Sequence, residues 1–330
     1  MGSIFLLNDL HGNSQMVEKI AGLIDDMYPG DIVIANGDIA GSRGPKMNKL
    51  ARIYYKVRRA EEVESALHEA VRELTGEQIC IPHEWIYDAT HFGMFRALLA
   101  ERNTKFRELI DSEITCAIDE TLTPLGAAAK KRGVTIYYLP GNGELVPFDV
   151  DTSNIKVERT VDPEDFYYNK LARVGRFASD GIQFVPGVKL LSRGSGNILL
   201  LSTYLLDKDQ KDIAKALMSV GAFGRERVEI SKVVVHYPPM IAPLGKTFPF
   251  WKYGEVDERR IGALGDILGR LKLRYGAEIY FGHIHLDATD QKMDFYTQFM
   301  GWNKTIDLEF SPLSVTAQCI WVKPGEMIQI

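Results

Sequence analysis

Residues 4–38 open with Ile4-Phe5-Leu6-Leu7-Asn8-Asp9-Leu10-His11-Gly12-Asn13 and close with Asp31-Ile32-Val33-Ile34-Ala35-Asn36-Gly37-Asp38. Ile4 to Leu7 is a short apolar run with the length of a buried strand. Asn13 or Ser14 can cap a helix after it, because a short polar side chain accepts from a backbone N–H that the first turn leaves unpaired. Met16, Ile20, Leu23, Ile24 and Met27 then recur at helical spacing, and Pro29-Gly30 ends the helix. Asp31 to Ala35 is the next strand. A strand, a helix and a strand in so short a stretch predict a parallel pair with a right-handed crossover. Asp9 and Asp38 then fall at the carboxyl ends of adjacent strands, where open α/β sheets bind ligands.

The same pattern recurs downstream. Val134 to Leu139 is a strand that ends in Pro140-Gly141-Asn142-Gly143-Glu144. Lys232 to Val235 is β-branched and ends in His236-Tyr237-Pro238-Pro239. Ala277 to Phe281 ends in Gly282-His283-Ile284-His285, where a turn after Gly282 can aim both histidines into one pocket. Five strand ends, each bearing an oxygen or imidazole donor, are thus expected on one edge of a sheet.

Between the loop Gly41-Ser42-Arg43-Gly44-Pro45 and the third strand the chain changes character. Residues 46–132 are rich in Ala, Glu, Arg, Leu and Lys. They predict three or four helices, near 46–74, 90–110 and 112–131, with a break at Ile81-Pro82. Further on, Gly181 to Val185, Lys189 to Leu191 and Asn197 to Thr203 read as an antiparallel set. Lys208 to Val220 and Asp257 to Tyr275 read as helices, and the stretch from Phe295 onward as two or three closing strands. The chain is therefore read as one α/β domain, 1–330, built of two mixed sheets packed together and flanked by helices. Residues 46–132 form a helical insertion in it, as a cap or an oligomerisation surface.

Composition narrows the function. The chain has 330 residues, is 45% hydrophobic and 25% charged, and carries a net charge of -5. That is ordinary globular composition, and the acidic balance disfavours a general attraction to nucleic acid or anionic lipid. No apolar run approaches the roughly 20 residues of a membrane span. Met1 to Leu7 lacks a basic leader region. Cys80, Cys116 and Cys319 are few and widely spaced, as buried thiols in a reducing compartment would be. These features point to a cytoplasmic protein.

The strand-end donors are Asp9, His11, Asp38, Asn142, His236, His283 and His285. Of the seven histidines, four fall in these motifs, which chance placement does not explain. Carboxylate, carboxamide and imidazole together suit Mn, Fe, Zn, Ni or Co and not Ca. Seven donors are too many for one ion and suit two divalent transition-metal ions sharing a carboxylate. Two such ions about 3.5–4 Å apart clamp the attacking and leaving oxygens of a phosphoryl centre. The absence of cysteine from the set argues against a structural zinc site.

Taken in order, Asp9-Leu10-His11-Gly12-Asn13, Gly37-Asp38, Gly141-Asn142, His236 and Gly282-His283-Ile284-His285 resemble the motifs of the calcineurin-like metallophosphoesterases. The resemblance runs from the first strand into the last third of the chain. It implies a four-layer α-β-β-α sandwich and a hydrolase with two metal ions, Mn foremost. Asp9, His11 and His285 would hold one ion, Asn142, His236 and His283 the other, and Asp38 would bridge them. Residues Gly37 to Pro45 are also similar to the glycine-rich loop of the small bacterial and archaeal phosphodiesterase branch.

One departure bears on the reaction. The family carries a histidine after Gly-Asn, where this chain has Gly143. That imidazole stabilises the transition state or protonates the leaving group, a service typically worth about 10²–10⁴ in rate. Its loss weighs against efficient monoester hydrolysis and leaves phosphodiesters as the expected substrates. His83 and His91 in the insertion are candidates to replace it. Arg43 could grip a phosphate oxygen with its planar fork, and Phe248, Phe250 and Trp251 could stack on a nucleobase. The substrate is thus expected to be a phosphate ester, with a nucleotide as one form and long nucleic acid disfavoured. The competing readings are a metal-binding scaffold for protein interaction and a nuclease.

Overall fold

The computed structural model describes residues 2–39, 65, 68, 69, 72, 104–141, 175–194, 196–238, 255–283, 305–310 and 315–330. The chain opens with strand β1 (Ile4–Asn8), helix α1 (Ser14–Asp25) and strand β2 (Ile32–Asn36). Asn13 caps α1 by accepting from Met16 N at 3.2 Å. Helix α2 (Thr104–Arg132) leads into β3 (Thr135–Leu139), and β4 (Ile182–Phe184) follows a short 3₁₀ turn. Strands β5 (Val188–Arg193) and β6 (Gly196–Leu201) precede two short helices, α3 (Thr203–Leu206) and α4 (Gln210–Ser219). Then come β7 (Ile230–Val235), α5 (Glu255–Arg270), β8 (Leu273–Phe281), β9 (Thr305–Phe310), β10 (Val315–Trp321) and β11 (Met327–Gln329).

These strands form two mixed sheets. The first runs β11-β1-β2-β3-β4 and the second β5-β6-β7-β8-β10-β9. β1, β2, β3 and β4 are mutually parallel, as are β6, β7, β8 and β10. Parallel strands covered on both faces read as continuous apolar runs, and alternation sorts each run between two cores. Ile4, Leu6, Ile32, Ile34, Ile198, Leu200, Val234 and Tyr280 fill the space between the sheets. Leu199, Leu201, Val233, Val235, Ile279 and Phe281, the alternate set, pack under α3, α4 and α5. On the far side of the first sheet, α1 buries Val17, Ile20 and Ile24 beside α2, which buries Ile118, Leu122 and Leu125. The order of layers is helix, sheet, sheet, helix, and the expected α/β sandwich of two mixed sheets holds.

Several local expectations are corrected. The donor-bearing strand ends do not share one sheet: β1, β2 and β3 lie in the first, β7 and β8 in the second. Hydrophobic pattern shows that a strand is buried, not which sheet it joins. Ile182–Phe184 is no part of an antiparallel set. It pairs parallel with β3, and only β5 and β6 of that set form a hairpin. Residues 104–132 are one continuous helix, through the expected division near residue 111 and with Pro124 inside it. The predicted helix 208–220 starts at Gln210, because Asp209 caps it by accepting from Asp212 N at 2.8 Å. The last helix stops at Arg270, not Tyr275. Strand β8 already begins at Leu273, and its pairing with β7 shifts between Ile230 and Lys232. Gly276 sits in that irregularity at φ +69°, a conformation that glycine adopts without steric cost. Residues 65, 68, 69 and 72 are helical, and the rest of 46–103 lies outside the described residues.

Candidate metal centre

Alternation decides which residue each strand delivers to the gap between the sheets. Extending the inward-facing parity of Leu6, Ile34, Leu139, Val234 and Tyr280 by two positions gives Asn8, Asn36, Gly141, His236 and Gly282. Two asparagines, one imidazole and two glycines thus meet at the carboxyl ends of the two sheets. The glycines leave room for the carboxylates. A Cβ on Gly141 would meet Asp38 Oδ1 and a Cβ on Gly37 would meet His236 Nδ1, both closer than carbon atoms approach, and one on Gly282 would lie 2.5 Å from Asp9 Oδ2.

The next residues must turn back into the same gap, and the backbone bends to do it. Asp9, His11, Asp38 and His283 take φ of 52°, 50°, 49° and 67°. They are the positive-φ residues other than glycine among the described residues. That region costs an L-residue of order 1–3 kcal/mol and persists where the surroundings over-determine it, commonly at functional sites. Here the surroundings are hydrogen-bonded loops. Asp9 N donates to Gly37 O at 3.2 Å, His11 N to Asp38 O at 2.7 Å and Gly12 N to Ile39 O at 3.0 Å. Within the second sheet Gly282 N donates to His236 O at 3.1 Å, and across the gap His283 N donates to Asp9 Oδ2 at 3.1 Å.

The result is a compact cluster. His236 Nε2 lies 3.6 Å from Asp38 Oδ2, and His236 Nδ1 lies 3.8 Å from Asp9 Oδ1. His11 Nε2 lies 4.0 Å from Asp38 Oδ2, and His283 Nδ1 3.3 Å from His236 Nε2. Asp9, Asp38 and His236 are buried. Donor atoms of Asp9, His11 and Asp38 fall within 4.8 Å of one another, and so do those of Asp38, His236 and His283. Burial alone would push the Asp38 carboxyl up. The charge and hydrogen bond of His236, then the charges of His11 and His283, outweigh it and hold the group far below the usual carboxylate range. A buried, ionised carboxylate amid three imidazoles is a donor set that suits divalent transition metals, and Asp38 belongs to both halves of it.

Asp9, His11, Asp38, His236 and His283 are therefore brought together in one cluster. Asn142, His285 and Arg43 lie outside the described residues, as do His83, His91, Phe248, Phe250 and Trp251. Other residues at the site were not foreseen. Asn36 Nδ2 donates to Val235 O at 2.8 Å and ties the two sheets at the base of the cluster. The Asn8 carboxamide lies 2.9 Å from Asn36 Nδ2. Tyr237 packs its ring 4.3 Å from that of His283. Asn8 and Asn36 precede the aspartate motifs directly, and that position was their available signal.

No family model matches the chain, and no curated protein matches it. Among solved structures, the crystal structure of Phosphopantetheinyl Hydrolase (PptH) from Mycobacterium tuberculosis aligns over 99% of this chain and 95% of that one, with a TM-score of 0.34 and 11% sequence identity. Likeness at that level bears on neither the fold nor the chemistry, so both rest on the residues themselves.

Proposed function

We propose that the chain is a dinuclear metal-dependent phosphoesterase of the calcineurin-like kind, a phosphodiesterase before a phosphomonoesterase. The observation that carries this reading is the double membership of Asp38 in two adjoining donor groups, Asp9-His11-Asp38 and Asp38-His236-His283. Asp9 and His11, with His285, would hold one ion, and His236 and His283, with Asn142, the other. Two divalent cations there, Mn foremost with Fe, Zn, Ni or Co as alternatives, would supply a water of lowered pKa and positive charge for the reacting phosphate.

The protein's own groups prepare that chemistry. Asp38 stays ionised without solvent, because the imidazoles around it offset burial. Asp9 accepts the His283 backbone N–H and so sets the position of a residue from the other sheet. Asn142 would orient a phosphate oxygen with its amide, and Arg43 would hold another in its fork. With Gly143 where the family has histidine, protonation of a poor leaving group falls to another side chain or to solvent. The substrate on this reading is a phosphodiester, with a nucleotide as one form. We further propose a cytoplasmic protein whose 46–132 insertion covers the substrate or joins copies of the chain.

The test is hydrolysis of bis(p-nitrophenyl) phosphate beside p-nitrophenyl phosphate by metal-free protein given back each metal in turn. Diester cleavage that needs metal and vanishes in Asp38→Ala supports the reading. Two ions bound without turnover on either ester would favour the binding scaffold instead.

A further inference from the structure

Arg260 on α5 is 1% exposed, yet it is a charged residue beneath an apolar sheet. Each of its three guanidinium nitrogens donates a hydrogen bond. Nε and Nη2 donate to Asp207 Oδ1 and Oδ2 at 2.7 and 2.9 Å, and Nη1 donates to the Tyr237 hydroxyl at 2.9 Å. Asp207 follows α3, just beyond the end of β6, and Tyr237 follows His236 at the end of β7. The three residues thus link a helix to two neighbouring strand ends. A buried ion pair is weak evidence for stability, since apolar residues of like volume often serve as well or better. Its value is geometric where something must be held.

What it holds is the Tyr237 ring. That ring is buried, lies 4.3 Å from the His283 ring at 35°, and meets the His236 ring edge-on at 5.5 Å. His283 needs such support, for its backbone sits at φ +67° and its polar tether is to Asp9 on the opposite sheet. We propose that Tyr237 is a positioning residue for the His236–His283 pair, held in place by Arg260 and Asp207. The inference rests on the metal-site reading above. It assigns the buttress to the His236 and His283 rings that Tyr237 packs against; the Asp9-His11-Asp38 group feels it only through the shared Asp38 and the His283 N–H on Asp9.

The experiment is calorimetric titration of metal-free protein with Mn²⁺, alongside thermal unfolding. Two variants are used: Tyr237→Phe, which keeps the ring and removes its tether, and Asp207→Asn with Arg260→Met, which removes the ion pair without stranding a charge. Groups that orient metal ligands are worth about 10–100-fold in affinity. The expected result is that one of two Mn²⁺ affinities falls by about that factor in both variants. The other affinity falls less, since it is reached only through Asp38 and Asp9, and the protein remains folded. Two unchanged affinities, or equal loss at both sites in folded protein, would overturn the inference. If the double variant fails to fold, Tyr237→Phe decides alone. Wild-type protein that binds fewer than two ions would instead overturn the metal-site reading, and this inference with it.

Discussion

His283 Nδ1 stands 3.3 Å from His236 Nε2, although the two residues end different strands and lie 47 positions apart. They converge, together with His11, around Asp38. Such an arrangement is costly as packing and reasonable as coordination: ring nitrogens and a carboxylate lie close enough together to share an ion.

Asp38 is the shared member, so its loss should reach both ions. Asp38→Asn keeps the volume and removes the charge. Metal charge stabilisation is worth several kcal/mol, and each 1.4 kcal/mol is tenfold in rate. Diester hydrolysis should fall by about 10²-fold or more, with bound metal reduced in elemental analysis. A variant with wild-type metal content and rate would remove Asp38 from the chemistry.

Gly37 and Gly141 are predicted to be irreplaceable for a steric reason. Gly37 has φ +75°, and a methyl there would enter the His236 imidazole. On Gly141 it would enter the Asp38 carboxylate and its backbone N–H. Gly37→Ala should lose roughly 1–3 kcal/mol in urea unfolding, and both variants should retain metal less well. Gly22, in an open position inside α1, is the control: alanine there should leave metal retention at the wild-type value and raise stability by about 0.5–1 kcal/mol, as glycine is the poorer residue in a helix interior.

Asn36 holds the sheets together where they bear the donors. Asn36→Leu leaves the Val235 carbonyl buried without its donor, a penalty of about 1–3 kcal/mol. Chemical denaturation should show that loss. Hydrogen exchange should quicken at the ends of β2 and β7 before it changes in the helices.

Tyr280 gives a prediction with a sign in pH. It lies in the core between the sheets, and burial, then the charge and hydrogen bond of Glu278, raise its phenol above the ordinary value. Its hydroxyl donates to Glu278 at 2.9 Å, and Lys232 pairs with the same carboxylate. A phenol raised in the folded state contributes stability that is whole below the unfolded pKa of about 10 and is lost as pH rises beyond it, at about 1.4 kcal/mol per unit. Unfolding midpoints between pH 9 and 11 should therefore fall more steeply in the wild type than in Tyr280→Phe. Equal slopes would show that this phenol titrates normally.

Much of this was legible in the sequence because each site strand is an apolar run that stops at a donor. Ile4 to Leu7 before Asn8-Asp9 and Ile32 to Ala35 before Asn36-Gly37-Asp38 state both the burial and its end. The division of the strands between two sheets was not legible, since β7 and β2 have the same pattern. The left-handed backbone at Asp9, His11, Asp38 and His283 left no mark either, for no glycine stands there. Arg260 was hidden for the opposite reason. It lies in Asp257-Glu258-Arg259-Arg260, which reads as a solvated helix face until Asp207 and Tyr237 are seen beside it.

The central claim is that one carboxylate, Asp38, joins two metal sites. Electron paramagnetic resonance of metal-free protein titrated with Mn²⁺ tests it most directly. Two ions about 3.5–4 Å apart across a shared ligand should give an exchange-coupled spectrum at two Mn²⁺ per chain, replaced in Asp38→Asn by the signal of isolated ions. An isolated-ion spectrum in the wild type at two Mn²⁺ per chain, or saturation at one, would contradict the account.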